Sequence, residues 1–126
     1  MTDSGECACS GRTLGKHVRP AALAVLAAGP THGYDIAQKL SQLSMFQGGS
    51  ESDASVIYRM LKLMEAEGLV HSDWQLGDSG PARRRVAITE DGRDCLRRWI
   101  DSLTRYRDSI DELLALMRAN AGERPR

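Results

Sequence analysis

The sequence lacks net charge. Its 17 Lys and Arg residues are balanced by 17 Asp and Glu, for a formal net charge of +0 at pH 7. Bulk charge therefore makes no case for a nucleic acid or any other polyanion, and such a case must rest on where the cations sit. A long apolar run is also missing. The longest, Ala21 to Ala28, is Ala-rich and far short of the roughly 20 residues that cross a bilayer, so no membrane partner is expected. The N-terminal stretch MTDSGECACSGRT has neither a basic start nor an apolar core. That excludes a secretory signal and leaves a cytoplasmic protein as the expectation. Cysteine is scarce and odd in number, with Cys7 and Cys9 near the start and Cys95 far away, and an intracellular chain keeps such thiols reduced. What remains is an ordinary ordered composition, 41% hydrophobic and 27% charged over 126 residues. That is enough for one small domain and one appended element.

Residues 1–13 are small and polar and read as a loose tail. A helical pattern starts at Leu14, with Leu14, Val18, Ala22, Val25 and Leu26 on one face. Pro20 suits the first turn of that helix, and Gly29 and Pro30 suit its end. Thr31 is placed to cap a second helix, whose buried stripe is Ile36, Ala37, Leu40 and Leu43. The connection from Ser44 to Ser52 is flexible by composition. Asp53 is then placed to cap a third helix, in which Ile57, Met60, Leu61 and Met64 face inward. Ser55, Arg59 and Lys62 face the other way, with Tyr58 beside them. A polar face of this kind is the rule on surface helices. Here it carries more weight, because the helix runs directly into a hairpin.

Glu67 and Gly68 close the third helix, Leu69 to Trp74 form a strand, and Gly77 to Pro81 turn the chain. Arg83, Arg84 and Arg85 lead the returning strand into Val86, Ala87 and Ile88. Side chains alternate along a strand, so Arg84, Val86 and Ile88 share one face and Arg83 and Arg85 project from the other. Thr89, followed by Glu90 and Asp91, opens a last helix as a hydroxyl cap with acids at the positive end of the dipole. Along it Leu96, Trp99, Leu103, Tyr106, Ile110, Leu113 and Met117 recur at intervals of three and four residues, widened by Ile100 and Leu114. That is a heptad seam over about three heptads, which calls for a partner helix. A second copy of the chain is the simplest partner, and the competing arrangement folds the helix back onto the chain's own first helix. Residues 120–126 read as frayed.

The expected architecture is mainly α with a small β-hairpin (α+β). A winged helix-turn-helix occupies residues 14–88 and a long dimerisation helix residues 89–119. On the residues GPTHGYDIAQKL, VIYRMLKLMEAEGLV and GPARRRVAITEDGRDCL, the chain resembles the PadR-type bacterial transcriptional regulators. The resemblance runs from about Val18 to Trp99 and is closest to the compact subgroup with a single C-terminal helix. It implies a homodimer, usually a repressor, that binds a pseudo-palindromic operator in double-stranded DNA and is often released by a small molecule. Ser55, Tyr58, Arg59 and Lys62 would enter the major groove. Tyr34 and Lys39 would touch phosphates, and Arg83, Arg84 and Arg85 would meet the backbone or the minor groove. Two departures put the operator sequence out of reach. Asp53-Ala54-Ser55 stands where the subgroup often has Asp-Pro-Gly, and Val86 or Ala87 stands where an aromatic is usual.

Other readings compete. Gly77 to Pro81 has the look of a trypsin-like nucleophile loop, but those enzymes need two β-barrels and a longer chain. His32 and Asp35 share one helix turn without a nucleophile beside them, so His32 is read as capping or packing. No enzyme and no cofactor are expected. Cys7 and Cys9 suggest a metal or redox sensor, completed by Cys95, His17 or a second subunit, although a tetrahedral metal wants four ligands. Trp99 and Tyr106 could line a pocket for a small apolar or aromatic effector, although aromatics at seam spacing are more often core. A dimerisation or adaptor module that does not bind DNA is the remaining alternative.

Overall fold

The computed structural model describes residues 17–47, 54–75 and 83–122. They form α1 (Val18–Ala27), β1 (Thr31–His32), α2 (Gly33–Ser41), α3 (Ala54–Ala66), β2 (Val70–Gln75), β3 (Arg83–Ile88) and α4 (Glu90–Ala121). The fold is mainly helical, as expected, but the sheet has a third strand. The order is β1-β3-β2, antiparallel throughout, with β3 in the middle.

Pro20 lies in the first turn of α1, where the backbone N–H has no helical partner to lose. Val18, Ala22, Leu23 and Leu26 from α1, Ile36 and Leu40 from α2, and Ile57, Leu61 and Met64 from α3 meet in one core, closed on the sheet side by Val70 and Val86. Met60 packs against its edge. Glu67, just past α3, pairs with Arg19 of α1, and the chain then turns at Gly68 with φ 81°.

Two expectations fail in the second helix. Thr31 does not cap it. Thr31 pairs with Val86 in the sheet, its Oγ1 donates to Asp35 Oδ2 at 3.0 Å, and His32 occupies the cap position without a capping hydrogen bond. The added strand takes the backbone that a cap would use. Leu43 does not join the buried stripe either. α2 stops at Ser41, and Leu43, past its end, is 45% exposed. Phe46, on the short 3₁₀ turn Ser44–Phe46, fills the core beside Leu40 at 1% exposure. The first part of the connection is thus anchored by the chain's single Phe. Asp53, the expected cap of α3, and Gly77 to Pro81 lie outside the described residues, as do Leu14, Cys7 and Cys9.

Thr89 performs its expected cap, its Oγ1 accepting from the Gly92 N–H at 3.0 Å. The same hydroxyl donates to the Gly68 carbonyl at 2.6 Å, which ties the start of α4 to the end of α3. Gly92 is buried here. A β-carbon on it would lie 2.7 Å from Ile88 Cγ1 and nearer still to the Leu69 carbonyl oxygen. α4 has 32 residues, about 48 Å at 1.5 Å per residue, and ends at Gly122 in the left-handed conformation, slightly beyond the expected stop. Its start packs on the core through Cys95, Leu96 and Trp99. Tyr106, Leu113 and Met117 are more than half exposed, and Ile110 is exposed as well. The beginning of the seam therefore does fold back within the chain. The rest runs past the end of α1, which at ten residues is too short to cover it. No helix among the described residues is long and apolar enough to cross a membrane.

An exposed helical Gly gains up to about 1 kcal/mol on replacement by Ala. At Gly92 the sign reverses. Gly92→Ala is expected to cost about 1–3 kcal/mol through forced overpacking against the Leu69 backbone, read as a lower urea midpoint at unchanged slope.

Candidate nucleic-acid interface

Ile57, Leu61 and Met64 turn one face of α3 into the core. That leaves Ser55, Tyr58, Arg59 and Lys62 on the opposite, exposed face. Tyr58 does not dangle there. Its ring lies against the first residue of α2, so that a β-carbon on Gly33 would come within 2.9 Å of Tyr58 Cδ1 and closer to Cε1. The His32-Gly33-Tyr34 and Ile57-Tyr58 segments, far apart in sequence, therefore meet in one contact. Tyr34 stands beside it, half exposed, with Gln38 Nε2 donating to its hydroxyl at 3.1 Å. His32 reaches toward the sheet, its Nε2 3.2 Å from Gln75 Oε1 and its Nδ1 3.7 Å from Asp35 Oδ2.

These elements enclose an open cleft of about 470 Å³, into which Tyr34, Tyr58 and Trp74 bring aromatic rings and Lys62, Arg83 and Arg84 bring cations. Trp74 is the side chain that the sequence alone leaves unplaced. It sits opposite Arg84 on β2, and only the pairing of the strands shows that it belongs to the cleft. Lys39, Ser55, Arg59 and Arg85 are exposed but do not line it.

The three arginines divide as strand alternation requires. Arg83 and Arg85 are exposed and Arg84 is half-buried. Arg84 Nε donates to Ser72 Oγ at 2.7 Å, and its Nη2 donates to Glu65 Oε1. Ser72 Oγ also donates to the Glu65 carboxylate, at 3.0 and 3.2 Å. The middle guanidinium is thus committed to protein partners, at odds with its grouping alongside Arg83 and Arg85. Burial pushes the Glu65 carboxyl up. The Ser72 hydrogen bond and the charge and hydrogen bond of Arg84 outweigh it, so the group is held below its ordinary range. Sequence inspection passed over both Glu65 and Ser72. The available signal was an acid on the last turn of the third helix, next to the buried Met64, with an inward-facing Arg on the returning strand.

Elsewhere, α1 and the start of α4 form a second, strongly apolar groove of about 430 Å³, which includes Trp99, Leu96, Ile100, Leu103 and Met45. The Trp99 ring meets that of His17 edge-on, with centroids 6.3 Å apart. Tyr106 does not line this groove. Seven residues on, it lies about 10 Å further along the helix. Cys95 is half-buried. Among the described residues, no three His, Cys, Asp or Glu side chains gather as a metal site would require.

Residues 22–98 match the model of the transcriptional regulator PadR-like family. Among solved structures, a candidate transcriptional regulator from Thermoplasma acidophilum is 27% identical, with a TM-score of 0.69 over 82% of this chain and 96% of that one. A PadR family transcription regulator from Clostridium difficile is 22% identical and shares the fold, with a TM-score of 0.68 over 78% and 98%. Bacillus subtilis PadR, solved in complex with operator DNA, is 25% identical, with a TM-score of 0.57 over 65% of this chain and 45% of that one. This chain therefore spans less than half of that protein. No curated protein matches the chain.

The depressed Glu65 carboxyl makes stability depend on pH. Stability from a carboxyl whose folded value is lowered is present above the unfolded value of about 4.3 and is lost as pH falls through the folded value. Urea midpoints of the native chain and of Glu65→Gln should therefore differ at pH 7 and converge toward pH 3. A gap independent of pH would show that the Glu65 charge adds nothing.

Proposed function

The chain belongs to the PadR-like family of transcriptional regulators, and we propose that it is a homodimeric cytoplasmic repressor that binds a pseudo-palindromic operator in double-stranded DNA. The observation that carries this proposal is the convergence of α3, the start of α2 and the outer half of the hairpin on one aromatic and cationic cleft, continuous with the polar face of α3. In this reading residues 14–88 form the DNA-binding unit. α3 enters the major groove, where Ser55, Tyr58, Arg59 and Lys62 read or approach base edges. Arg83 and Arg85 at the wing, with Tyr34 and Lys39 on α2, hold phosphates, which set register without reading sequence. The Bacillus subtilis relative with its operator supports DNA as the partner. Arg84, paired inside the protein, is left out of the phosphate set.

Dimerisation is assigned to residues 89–119. Tyr106, Ile110, Leu113 and Met117 lie exposed along α4, continuing the line of Leu96, Trp99 and Leu103. An apolar stripe of that length is stably hidden by an equivalent stripe on a second copy. Two copies would present two recognition helices, matching a two-fold operator. A small apolar or aromatic effector would be taken up in the groove at Trp99, and Tyr106 would contribute only across a paired helix. Base reading by α3 and phosphate holding by the wing separate by experiment.

Selection of bound fragments from genomic DNA should return an operator. On it, Arg59→Ala should erase about 1–3 kcal/mol of discrimination. Arg83→Ala should weaken specific and random DNA alike and lower the salt slope by about one. Fluorescence anisotropy at several salt concentrations measures both, and equal losses for both variants would contradict the division. Sedimentation at micromolar concentration should give a dimer. A single subunit would overturn the dimer, and the absence of salt-dependent DNA binding would instead favour a dimerisation or adaptor module.

A further inference from the structure

The middle arginine of β3 joins three parts of the chain. Glu65 stands on the last turn of α3, one turn after Lys62 of the cleft. Ser72 is on β2 and Arg84 on β3. Arg84 uses Nε toward Ser72 and Nη2 toward Glu65, while the Ser72 hydroxyl donates back to the same carboxylate, so the triangle closes. The last buried apolar side chain on the way out along the hairpin is Val86, opposite Ser72. Beyond that rung, the described residues Asp73 to Gln75 and Arg83 to Arg85 have no core to rest on. They are held by the β1 pairing, the His32–Gln75 contact and this triangle. Only the triangle ties the described outer half of the hairpin to α3 by ion pair or hydrogen bond.

We propose that Glu65 and Ser72 are positioning residues for operator recognition, which act through Arg84 to fix the angle between the recognition helix and the wing. This rests on the DNA-binding reading above. A planar guanidinium that spends two of its donors in a fork resists rotation in a way that a single contact does not. Base contacts from α3 and phosphate contacts from Arg83 and Arg85 must be met together for an operator to be preferred. A wing that swings freely finds phosphates on any sequence and loses that joint constraint. Pairing with Glu65 also keeps the Arg84 charge away from phosphates, and it neutralises an anion one turn from Lys62.

A double-mutant cycle of Glu65→Gln, Arg84→Met and the pair tests this on the operator recovered by selection and on random DNA. Each single change should reduce the operator-to-random preference about tenfold, and the double change no further than either alone, as expected for side chains acting as one unit. Glu65→Gln alone should also steepen the salt dependence on random DNA by up to about 0.9, because it frees one cation for a phosphate. Arg84→Lys keeps the charge but not the fork, and should recover part of the preference lost in Arg84→Met. Equal affinity gains on both DNAs for Glu65→Gln, or additive losses in the cycle, would overturn the proposal. In the free protein, hydrogen exchange across Asp73 to Gln75 and Arg83 to Arg85 should quicken in Glu65→Gln while α3 stays protected. If the native chain prefers no DNA sequence, the regulator reading falls. The exchange measurement then decides the brace alone, and unchanged protection in both single variants sinks it.

Discussion

β3 is hydrogen-bonded along both edges, to β1 on one side and β2 on the other, and most other placements follow from that. A strand paired twice cannot rotate about its axis, so its alternation becomes a fixed division of side chains between inside and outside. Val86 is driven into the core and Arg84 toward α3, while Arg83 and Arg85 are held out. The pairing of Thr31 and His32 with Val86 and Arg85 also draws the start of α2 to the sheet. That is what brings Tyr34 and Tyr58 beside Trp74 and Lys62. At its far end β3 passes straight into the Thr89 cap, so the direction of α4 is set by the same strand.

An overall charge of zero is compatible with a polyanionic partner because the cations are sorted by geometry rather than by number. Lys62 and Arg83 line the cleft, and Arg59 and Arg85 are exposed on the same two elements, α3 and β3. The nearest acid on α3, Glu65, is bound to Arg84 and so does not present a free negative charge there. Only charges within about a Debye length of the phosphates act strongly on them, so distant acids on α4 weigh little in local binding. The ion pair thus contributes twice, by orienting the hairpin and by neutralising a carboxylate near the proposed interface.

α4 presents the opposite problem. Its first residues are fully accounted for within the chain, through the Thr89 cap, the tight Gly92 contact and the packing of Leu96 and Trp99. The remainder is a well-formed helix whose apolar stripe is left exposed among the described residues. Helix propensity alone does little for stability without a packed face. This imbalance gives the second half of α4 its place in the proposed assembly, and it separates Trp99, half covered by α1, from the more exposed Tyr106.

Periodicity and end signals were enough to read the four helices, the hairpin and the heptad line on α4, because burial of a stripe and termination of a helix are local matters. The same holds for the Thr89 cap and for the outward aim of Arg83 and Arg85, which follow from neighbours in sequence. The third strand, the loss of Thr31 as a cap, the replacement of Leu43 by Phe46 and the pairing of Glu65 with Arg84 could not be read that way. Each depends on which distant backbone or side chain competes for a group, and that competition is settled only when the elements pack. The chain's own order of residues thus determined which elements form and which face each one offers. The tertiary structure alone decided which offered groups are consumed inside and which remain for a partner, because hydrogen bonds and buried area are shared across the fold.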